Sequence, residues 1–284
     1  MIWMIITERE MGDGAQHVFC FNEEALGREN IKLAIVDVND DLSFVHPDDI
    51  IISRTFERQL IETIKSKKVR NTAECYSVYK LVNDKVALSD FLHNHGILVP
   101  EVYSMAELED GHTYFVKPRF GHDSFGIGID SICRSKDDVT NRIVLTKKYL
   151  HQDCIIEDFI EGEEITVSCV NNNGFVQVYA IKVDCSQSGG IQTYYSKDKF
   201  KEYCSAFHDD NLDEISRNIF SLLELKHHAR FDFRKGKDGR YYLIDINLLP
   251  GLGPLAHYSK CLLLSGNISY IDVMKSIVNS ATFD

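Results

Sequence analysis

Short apolar runs alternate with polar stretches along the first 80 residues of the chain. The apolar runs occupy residues 3–6, 33–38 and 50–52, and the polar stretches between them are compatible with helices. Apolar strands separated by helical stretches are typical of βαβ units with a parallel sheet. The pattern therefore predicts a small α/β domain over residues 1–80, although few of its side chains suggest any chemistry.

A helix with clear ends follows this region. Asn83 can cap its start, Gly96 can end it, and Pro100 comes shortly after. One face of this helix carries Leu88, Phe91, Leu92 and His95. The spacing predicts a single amphipathic helix between the first domain and the rest of the chain.

From Thr113 onward the pattern becomes typical of antiparallel sheets. The strands TYFVK and GIGIDSI are predicted on either side of a glycine-containing loop. The strands EITVSCV and FVQVYAIKV flank Asn173-Gly174, and Asn-Gly between two β-rich runs is a strong hairpin signal. This half of the chain is therefore predicted to be α+β.

Three helices are predicted among these strands. The first covers residues 136–149 and is introduced by Ser135, with Asp138 three positions later as in a capping box. The second places Leu212, Ile215, Ile219 and Leu222 on one stripe. The third covers residues 270–281.

The most informative segment is a predicted hairpin over residues 229–247, ARFDFRKGKDGRYYLIDIN. If Asp238-Gly239 form a two-residue type I′ loop, the register of the two strands is fixed. Period-two alternation then places two cross-strand pairs on one face of the sheet. These pairs are Asp232 with Asp245 and Arg230 with Asn247.

Opposed carboxylates on this face indicate a cation site. Asp232 and Asp245 repel each other unless something positive lies between them. Magnesium prefers oxygen ligands, so the two carboxylates and the amide oxygen of Asn247 form a candidate metal site. Arg230, which stays charged, can stabilise negative charge that develops nearby. The alternative is a solvent-facing hairpin whose acids pair with arginines, namely Arg230, Arg234 and Arg240.

Two further segments suggest a phosphate and nucleotide site. Lys117 ends a β-run and opens the glycine-containing loop RFGHDSFGIG, where backbone N–H groups can approach phosphate oxygens. A predicted strand over residues 154–159 leads through a Glu-Gly turn to Glu164, an acid that can accept hydrogen bonds from ribose hydroxyls. The alternatives are a surface hairpin with glycine turns and exposed acids near a turn.

Composition narrows the class of protein. With 284 residues and 44% hydrophobic residues, the chain can form two or three subdomains. A net charge of −12 disfavours nucleic acid as a partner, and the eight scattered cysteines are expected to be reduced thiols. The start MIWMIITE does not resemble a signal peptide, and no apolar run is long enough for a membrane span. We therefore expect a cytoplasmic protein without a membrane partner.

Four segments in this order resemble the ATP-grasp superfamily of carboxylate-amine ligases over nearly the whole chain. They are DKVALSDFLHNHGILVP, VKPRFGHDSFGIG, IIEDFIEGEEITV and ARFDFRKGKDGRYYLIDINLLPGLGP. The tail GLGPLAHYSKCLLLSGNISYIDVMKSIV resembles the D-alanine-D-alanine ligase branch. PDDIIISRTF and VRNTAECYSVYKLVNDK are more similar to ligases of the glutamate-adding type, which modify a ribosomal protein, and of the lysine-biosynthesis type.

This resemblance implies an ATP-grasp fold and a set of site residues. A pre-ATP-grasp α/β domain over residues 1–80 would precede an ATP-grasp domain over 81–284, whose lobes clamp ATP and whose ATP-lid lobe covers about 113–160. Residues that would contact phosphates or lie in the loop over them are Lys85, Lys117, Ser124, Gly126 and Lys197, with Lys199 as the alternative to Lys197. Glu157, Asp158 and Ile160 would line the adenine pocket, and Glu164 would hold the ribose.

The resemblance also implies the reaction. Asp232, Asp245 and Asn247 would hold two Mg²⁺ ions, with Mn²⁺ as an alternative, and Arg230 and Ser124 would assist catalysis. ATP would phosphorylate a carboxylate, and an amine would attack the acyl phosphate, with ADP and phosphate released. The alternatives are a nucleotide-binding regulatory protein and a kinase acting on a hydroxyl. A homodimer is a family expectation.

Three departures from the D-alanine-D-alanine ligase pattern bear on the substrate. Asp245 stands where the family usually has Glu, and TEREMGDGAQH lacks the recognisable glycine-rich substrate motif with its Glu. Gly253 and Ala256 replace the hydroxyl residues that would hold the second D-alanine. A ligase for D-alanine itself is therefore disfavoured, and His257 and Tyr258 are candidates for shaping another acceptor pocket.

Overall fold

The computed structural model describes residues 1–11, 15–121, 124–193 and 203–283. The first 80 residues form a parallel four-stranded sheet in the order β2-β1-β3-β4, flanked by helices. Their elements are β1 (Ile2–Thr7), α1 (Ala15–Leu26), β2 (Ile31–Val36), β3 (Ile50–Ser53), α2 (Arg58–Ser66) and β4 (Arg70–Asn71). The apolar runs in the sequence thus form strands of this parallel sheet, as the α/β pattern predicts.

Two helices connect this sheet to the rest of the chain, α3 (Tyr76–Asn83) and α4 (Lys85–Asn94). The predicted cap of α4 is wrong, because the Asp84 carboxylate accepts from the backbone N–H groups of Val86 and Ala87. Asn83 instead ends α3, and its side-chain oxygen accepts from the N–H of Gly121. The predicted end of α4 near Gly96 is confirmed, with Gly96 in the left-handed region.

A small antiparallel sheet in the order β6-β5-β7 forms a separate layer. Its elements are β5 (Tyr114–Pro118), β6 (Ile132–Cys133), α5 (Lys136–Leu150) and β7 (Cys154–Asp158). The Ser135 hydroxyl accepts from the N–H of Asp138 at 3.1 Å, as the capping pattern predicts. The predicted strand GIGIDSI is wrong except at its end, because Gly126 has a φ of +73° and residues 129–131 form a 3₁₀ turn.

The largest sheet is antiparallel, in the order β10-β9-β8-β11-β12. Its strands are β8 (Gly162–Asn172), β9 (Phe175–Val183), β10 (Cys204–Phe207), β11 (His228–Gly236) and β12 (Tyr241–Asn247). The β8-β9 hairpin turns at Asn173 and Gly174, which both have positive φ, as predicted for Asn-Gly. The remaining helices are α6 (Asp210–Leu222), α7 (His257–Leu264) and α8 (Tyr270–Ser280).

Apolar packing joins the first and the largest sheets. One core cluster contains Ile5 and Ile51 together with Val167 and Phe231. Another contains Met4 and Ile52 with the apolar face of α8. The small sheet has its own cluster around Tyr114, Val116 and Val139. Within the described parts of the chain, no helix is long and apolar enough to cross a membrane.

Gly162 lies where β8 approaches β11 closely. A Cβ built on Gly162 would lie 1.9 Å from the carbonyl oxygen of Lys235 on β11, which is backbone and cannot rotate away. We expect Gly162→Ala to lower the free energy of unfolding by about 1–3 kcal/mol, the usual cost of overpacking. Urea unfolding measures this effect. Glu163→Ala, which removes only an exposed pair with Lys182, is the control and should change stability by less than about 1 kcal/mol. Equal stability of the two variants would contradict the close approach.

Candidate active site

The acidic hairpin β11-β12 pairs in the predicted register where the charged residues lie. Asp232 is opposite Asp245, and Arg230 is opposite Asn247. Phe231, on the other face of β11, is fully buried in the core. Alternation along β11 and β12 therefore directs the polar side chains away from the core, onto one face.

The loop of this hairpin differs from the predicted two-residue turn. Its ends are joined by hydrogen bonds from Gly236 N–H to the Arg240 carbonyl and from Gly239 N–H to the Gly236 carbonyl, both 2.9 Å. These bonds enclose three residues, with Gly239 at a φ of +78°. Relative to the predicted two-residue loop, a three-residue loop alone would shift the cross-strand pairing by one residue. An irregularity between Asp232 and Phe233 restores the register, because Phe233 pairs with Leu243 and Ile244 is left without a partner on β11.

The bulge at Ile244 provides an acceptor for a buried lysine. The Lys117 amine on β5 donates to the Ile244 carbonyl at 2.9 Å and forms an ion pair with Glu157 at 2.7 Å. Lys117 and Glu157 are both 5% exposed. Burial raises the pKa of the Glu157 carboxyl, although Lys117 and Lys85 act in the opposite direction. Lys117 thus joins the small sheet to the largest sheet through one charged group.

Lys85 supplies a second positive charge from the start of α4. Its amine donates to the Gly121 carbonyl at 2.6 Å. Burial lowers the pKa of this amine, and the neighbouring Lys117 charge lowers it further, whereas the carboxylates of Asp245 and Glu157 raise it. Lys85, Lys117, Glu157 and Asp245 therefore form one electrostatically coupled group.

Asp232 is held by two partners inside the sheet. Arg230 Nη2 donates to its carboxylate at 2.9 Å, and the Thr166 hydroxyl on β8 donates at 2.9 Å. Burial acts to raise the pKa of Asp232, but Arg230, Thr166 and the nearby His257 hold it below the usual range. Asp232 is therefore an anion at neutral pH in a site where it is only 8% exposed.

The polar face of the hairpin offers few oxygen ligands for a divalent cation. Among the described residues, no group of three or more His, Cys, Asp or Glu side chains could hold a metal ion. Asp232 and Asp245 are two carboxylates, and the Asn247 amide oxygen already accepts from the N–H of Leu249 at 3.0 Å. This set does not form an all-protein cage. It does fit Mg²⁺, which typically binds one or two carboxylates and completes its shell with phosphates and water.

These groups line a cleft between the small sheet and the largest sheet, here called the intersheet cleft. Predicted site residues that line it are Lys85, Lys117, Ser124, Glu157, Asp158, Ile160, Glu164, Arg230, Asp232 and Asp245. Residues from five strands and from α4 thus converge on one concavity. Lys85 and Lys117 lie on the side of α4 and the small sheet, which also carries Glu157. Asp232 and Asp245 lie on the side of the largest sheet, which also carries Arg230.

Three of the predicted residues are placed differently from the rest, namely Asp158, Gly126 and Asn247, and Asn247 is not among the residues that line the cleft. The Asp158 carboxylate accepts from Tyr103 at 3.0 Å and lies 2.6 Å from His112 Nε2, so its side chain is engaged on the side of those rings. Gly126 is not among the lining residues, and a Cβ there would lie 2.5 Å from Leu150 Cδ1. Its lack of a side chain therefore serves the packing of the loop on α5. Lys197 and Lys199 lie outside the described residues.

Several lining residues were missed by the sequence analysis. The rings of Phe115 and Phe159 stack with centroids 6.2 Å apart, and the Arg234 guanidinium lies 5.3 Å from the Phe159 centroid. Gln192 Nε2 and Arg234 Nε are buried without a hydrogen-bond partner in the part of the chain that the structure describes. Alternation provided a usable signal for Arg234, because it is in phase with Arg230 and Asp232. Nothing in the sequence indicated Gln192.

The two residues proposed to shape an acceptor pocket have different surroundings. Tyr258 is fully buried in a core cluster and packs edge-on against His228, 5.6 Å between centroids. It is therefore a structural residue. His257 is 8% exposed and lies close enough to Asp232 to affect its pKa. Of the two, only His257 lies near a charged residue of the intersheet cleft, Asp232.

His228 gives the fold a dependence on pH. Burial lowers its pKa to about 3, assisted by the positive charge of Arg54 and by the neighbouring His227. Because the unfolded chain takes up a proton near pH 6.5 and the folded protein does not, stability is complete above pH 6.5 and falls as the pH decreases toward 3.

Replacing this histidine should reduce that dependence. We expect His228→Phe to flatten the fall in melting temperature between pH 6.5 and 4.5, relative to the unmodified protein. Buried Glu157 and Glu164 contribute in the opposite sense, because their raised pKa values make the folded state bind more protons. Thermal unfolding at several pH values measures the difference between the two proteins. Parallel curves would contradict the assignment of His228.

Comparisons with known proteins identify the family. The family model described as D-ala D-ala ligase C-terminus matches residues 92–279. A D-alanine--D-alanine ligase from Geobacillus thermodenitrificans is 26% identical over 193 residues, covering 62% of this chain and 49% of that protein. One from Francisella philomiragia is 24% identical over 265 residues, covering 89% and 84%. The match spans only about half the length of the two curated Geobacillus relatives. It covers 49% of the protein from Geobacillus thermodenitrificans and 43% of the one from Geobacillus kaustophilus.

Solved structures show the same fold at low sequence identity. The D-alanine--D-alanine ligase from Bacillus anthracis complexed with ATP superposes with a TM-score of 0.73 at 17% identity, covering 98% of this chain and 96% of that one. The VanG D-Ala:D-Ser ligase from Enterococcus faecalis gives a TM-score of 0.72 at 14% identity, with 98% of each chain covered. The predicted ATP-grasp fold and the resemblance of the tail to the D-alanine-D-alanine ligase branch are therefore confirmed, and the chain belongs to the family of the D-Ala-D-Ala ligase C-terminal domain.

Proposed function

We propose that the protein is an ATP-dependent ligase that activates a carboxylate as an acyl phosphate and joins it to an amine, releasing ADP and phosphate. The observation that carries this proposal is the arrangement of charge across the intersheet cleft. Two lysines face two ionisable carboxylates there, with Arg230 beside them. A triphosphate with a divalent cation complements this arrangement, because phosphates pair with the lysines and the cation pairs with the carboxylates.

Each part of the cleft has a proposed task. Lys85 and Lys117 bind phosphate oxygens, and their fixed positions orient the phosphoryl group that is transferred. Glu164 accepts from the ribose, and Phe115 and Phe159 provide an apolar wall for the base.

The carboxylate end of the cleft holds the metal and the reacting centre. Asp232, Asp245 and Asn247 hold divalent metal, for which we propose two Mg²⁺ ions or Mn²⁺ in their place. When bound, the metal neutralises charge on the transferring phosphoryl group. Arg230 is held by Asp232 at the same face and stabilises the negative charge that develops at the reacting centre. Ser124 lines the other side of the cleft, at the loop end.

The acceptor is proposed to differ from D-alanine. Gly253 lies close to Val18, and a Cβ on it would stand 3.3 Å from Val18 Cγ2. No hydroxyl side chain is present at position 253 or 256 to hold the carboxylate of a second amino acid. His257, which lies near Asp232, is the polar group that α7 presents there. We therefore propose a small carboxylic acid and an amine as substrates, with His257 at the acceptor side.

One assay separates the proposed ligase from the other two classes. The protein is incubated with Mg-ATP and pools of amino acids, and ADP, free phosphate and product mass are measured. Paired release of ADP and phosphate with a new condensed mass supports the ligase. A phosphorylated product without free phosphate contradicts it in favour of a kinase. ATP binding without either product contradicts it in favour of a regulatory protein.

A cytoplasmic location, the lack of nucleic-acid partners and a homodimer stay predictions. The same holds for the division of the chain at residue 80 into a pre-ATP-grasp and an ATP-grasp domain. Size-exclusion chromatography with light scattering tests the homodimer directly, because the dimer has twice the mass of the single chain.

A further inference from the structure

Arg234 and Glu164 form a buried pair at one end of the intersheet cleft. They are opposite each other on β11 and β8, with Arg234 Nη2 3.7 Å from Glu164 Oε2. The two residues are 5% and 6% exposed, and both line the cleft. The pair is therefore not a surface ion pair, and each charge depends on the other.

The head group of Arg234 is fixed from several sides. Nη2 donates to the Gly190 carbonyl, and the guanidinium lies over the ring of Phe159. Nε is buried and has no hydrogen-bond partner among the described residues, and the Arg234 residue lines the cleft. A buried arginine costs free energy unless its charge is compensated, and Glu164 supplies the opposite charge here.

The pKa of the Glu164 carboxyl depends on its burial and on the charged groups around it. Burial raises the pKa of Glu164 to about 7, and the charge of Asp232 raises it as well. Arg234 is the largest opposing influence, ahead of the Cys185 thiol at 3.6 Å and the backbone N–H of Gln192. Loss of the Arg234 charge would therefore raise the pKa of this carboxyl further.

We infer, on the basis of the proposed function, that Arg234 is a positioning residue for the nucleotide: it holds Glu164 as an acceptor for the ribose hydroxyls. A carboxylate accepts hydrogen bonds through both oxygens, whereas a protonated carboxyl must place a donor toward one neighbour. Hydrogen bonds to an ionised acceptor are also stronger than neutral ones. The affinity for ATP therefore depends on pH through a residue that lies away from the phosphates.

Direct binding of Mg-ATP, measured by titration calorimetry between pH 6 and 8.5, tests this inference. The variants are Arg234→Met, which removes the charge and keeps the apolar stem, and Arg234→Lys, which keeps the charge. Arg240→Met is the matched control, because Arg240 lies on the same hairpin, is exposed and pairs with Asp238. Glu164→Gln, which cannot ionise, reports the pH dependence that remains without this carboxyl. Circular dichroism confirms that each variant is folded.

The unmodified protein should bind ATP less tightly as the pH falls below about 7, where Glu164 takes up a proton. In Arg234→Met this loss should occur at higher pH, so that the Kd at pH 7 rises about fivefold for a rise of the carboxyl pKa from about 7 to about 8. Arg234→Lys and Arg240→Met should follow the unmodified protein. The preference for ATP over its 2′-deoxy and 3′-deoxy analogues should shrink in Arg234→Met.

The outcomes separate this inference from the proposed function. If the unmodified protein binds Mg-ATP and Arg234→Met has the same pH profile, the inference is overturned and the proposed function stands. If Glu164→Gln keeps the full pH dependence, the inference is overturned in the same way. If the unmodified protein binds no Mg-ATP at any pH, the proposed function fails and the inference fails with it.

Discussion

Asp232→Asn should lower kcat by about 10²–10³-fold, the loss typical of removing one group that stabilises charge in a transition state. The substitution keeps an oxygen acceptor for Thr166 and Arg230 but removes the charge that faces the cation. Initial rates of ADP release at saturating ATP measure the change.

The control for this substitution lies on the same hairpin. Asp238→Asn also removes one carboxylate charge, but from an exposed turn where Asp238 pairs with Arg240. We expect kcat of this variant to stay within about twofold of the unmodified protein, because exposed pairs of this kind contribute little. Circular dichroism is needed for Asp232→Asn, because loss of a buried partner leaves the Arg230 charge only partly compensated. Near-normal turnover in a folded Asp232→Asn protein would contradict the metal assignment.

Lys117→Met should strongly weaken ATP binding. We expect the Kd for Mg-ATP to rise by about 100-fold, because a charge-assisted bond to phosphate is lost in a site shielded from water. Titration calorimetry measures the affinity. Stability should also fall, since the substitution leaves Glu157 without its buried cation.

A double variant separates these two effects of Lys117. In Lys117→Met with Glu157→Gln, the buried carboxylate is neutral, so stability should recover toward that of the unmodified protein while ATP binding stays weak. Lys147→Met, at an exposed position of α5, controls for a general loss of positive charge. Recovery of ATP binding together with stability would show that Lys117 is only structural.

The sequence predicted those parts of the site that depend on local regularity. Alternation along the hairpin predicted Asp232 and Asp245 on one face. The structure confirms this pairing, although the loop has three residues and not the predicted two. Caps and turns with a local hydrogen bond, such as Ser135 with Asp138 and the turn at Asn173, were also predictable. In each case the signal lies within a few residues of the feature.

The features that were missed depend on distant parts of the chain. Thr166 bonds to Asp232 across 66 positions of sequence, and the Ile244 carbonyl meets a lysine 127 positions away. The bulge that exposes this carbonyl has no signature in the hairpin itself. Asn is a residue type that commonly caps helices, so Asn83 was the predicted cap. Its side-chain oxygen instead accepts from the N–H of Gly121, which lies near it only in the folded chain.

The hairpin sequence indicates Arg234 only as a possible surface partner for the hairpin acids, because its buried surroundings come from another strand. In the hairpin alone, Arg234 resembles Arg240, which is exposed and pairs with its neighbour. Pairing of β11 with β8 places Arg234 opposite Glu164, and both residues line the intersheet cleft. Two arginines six positions apart on one hairpin thus have unrelated surroundings.

We propose that a triphosphate lies in the intersheet cleft, with the two lysines on the side of the small sheet and the carboxylates on the side of the largest sheet. A crystal structure of the protein with Mg²⁺ and a non-hydrolysable ATP analogue tests this most directly. We predict phosphate oxygens at Lys85 and Lys117, with metal bound jointly by phosphate oxygens, Asp232 and Asp245. An analogue bound away from the intersheet cleft, or metal bound without either carboxylate, would contradict the account.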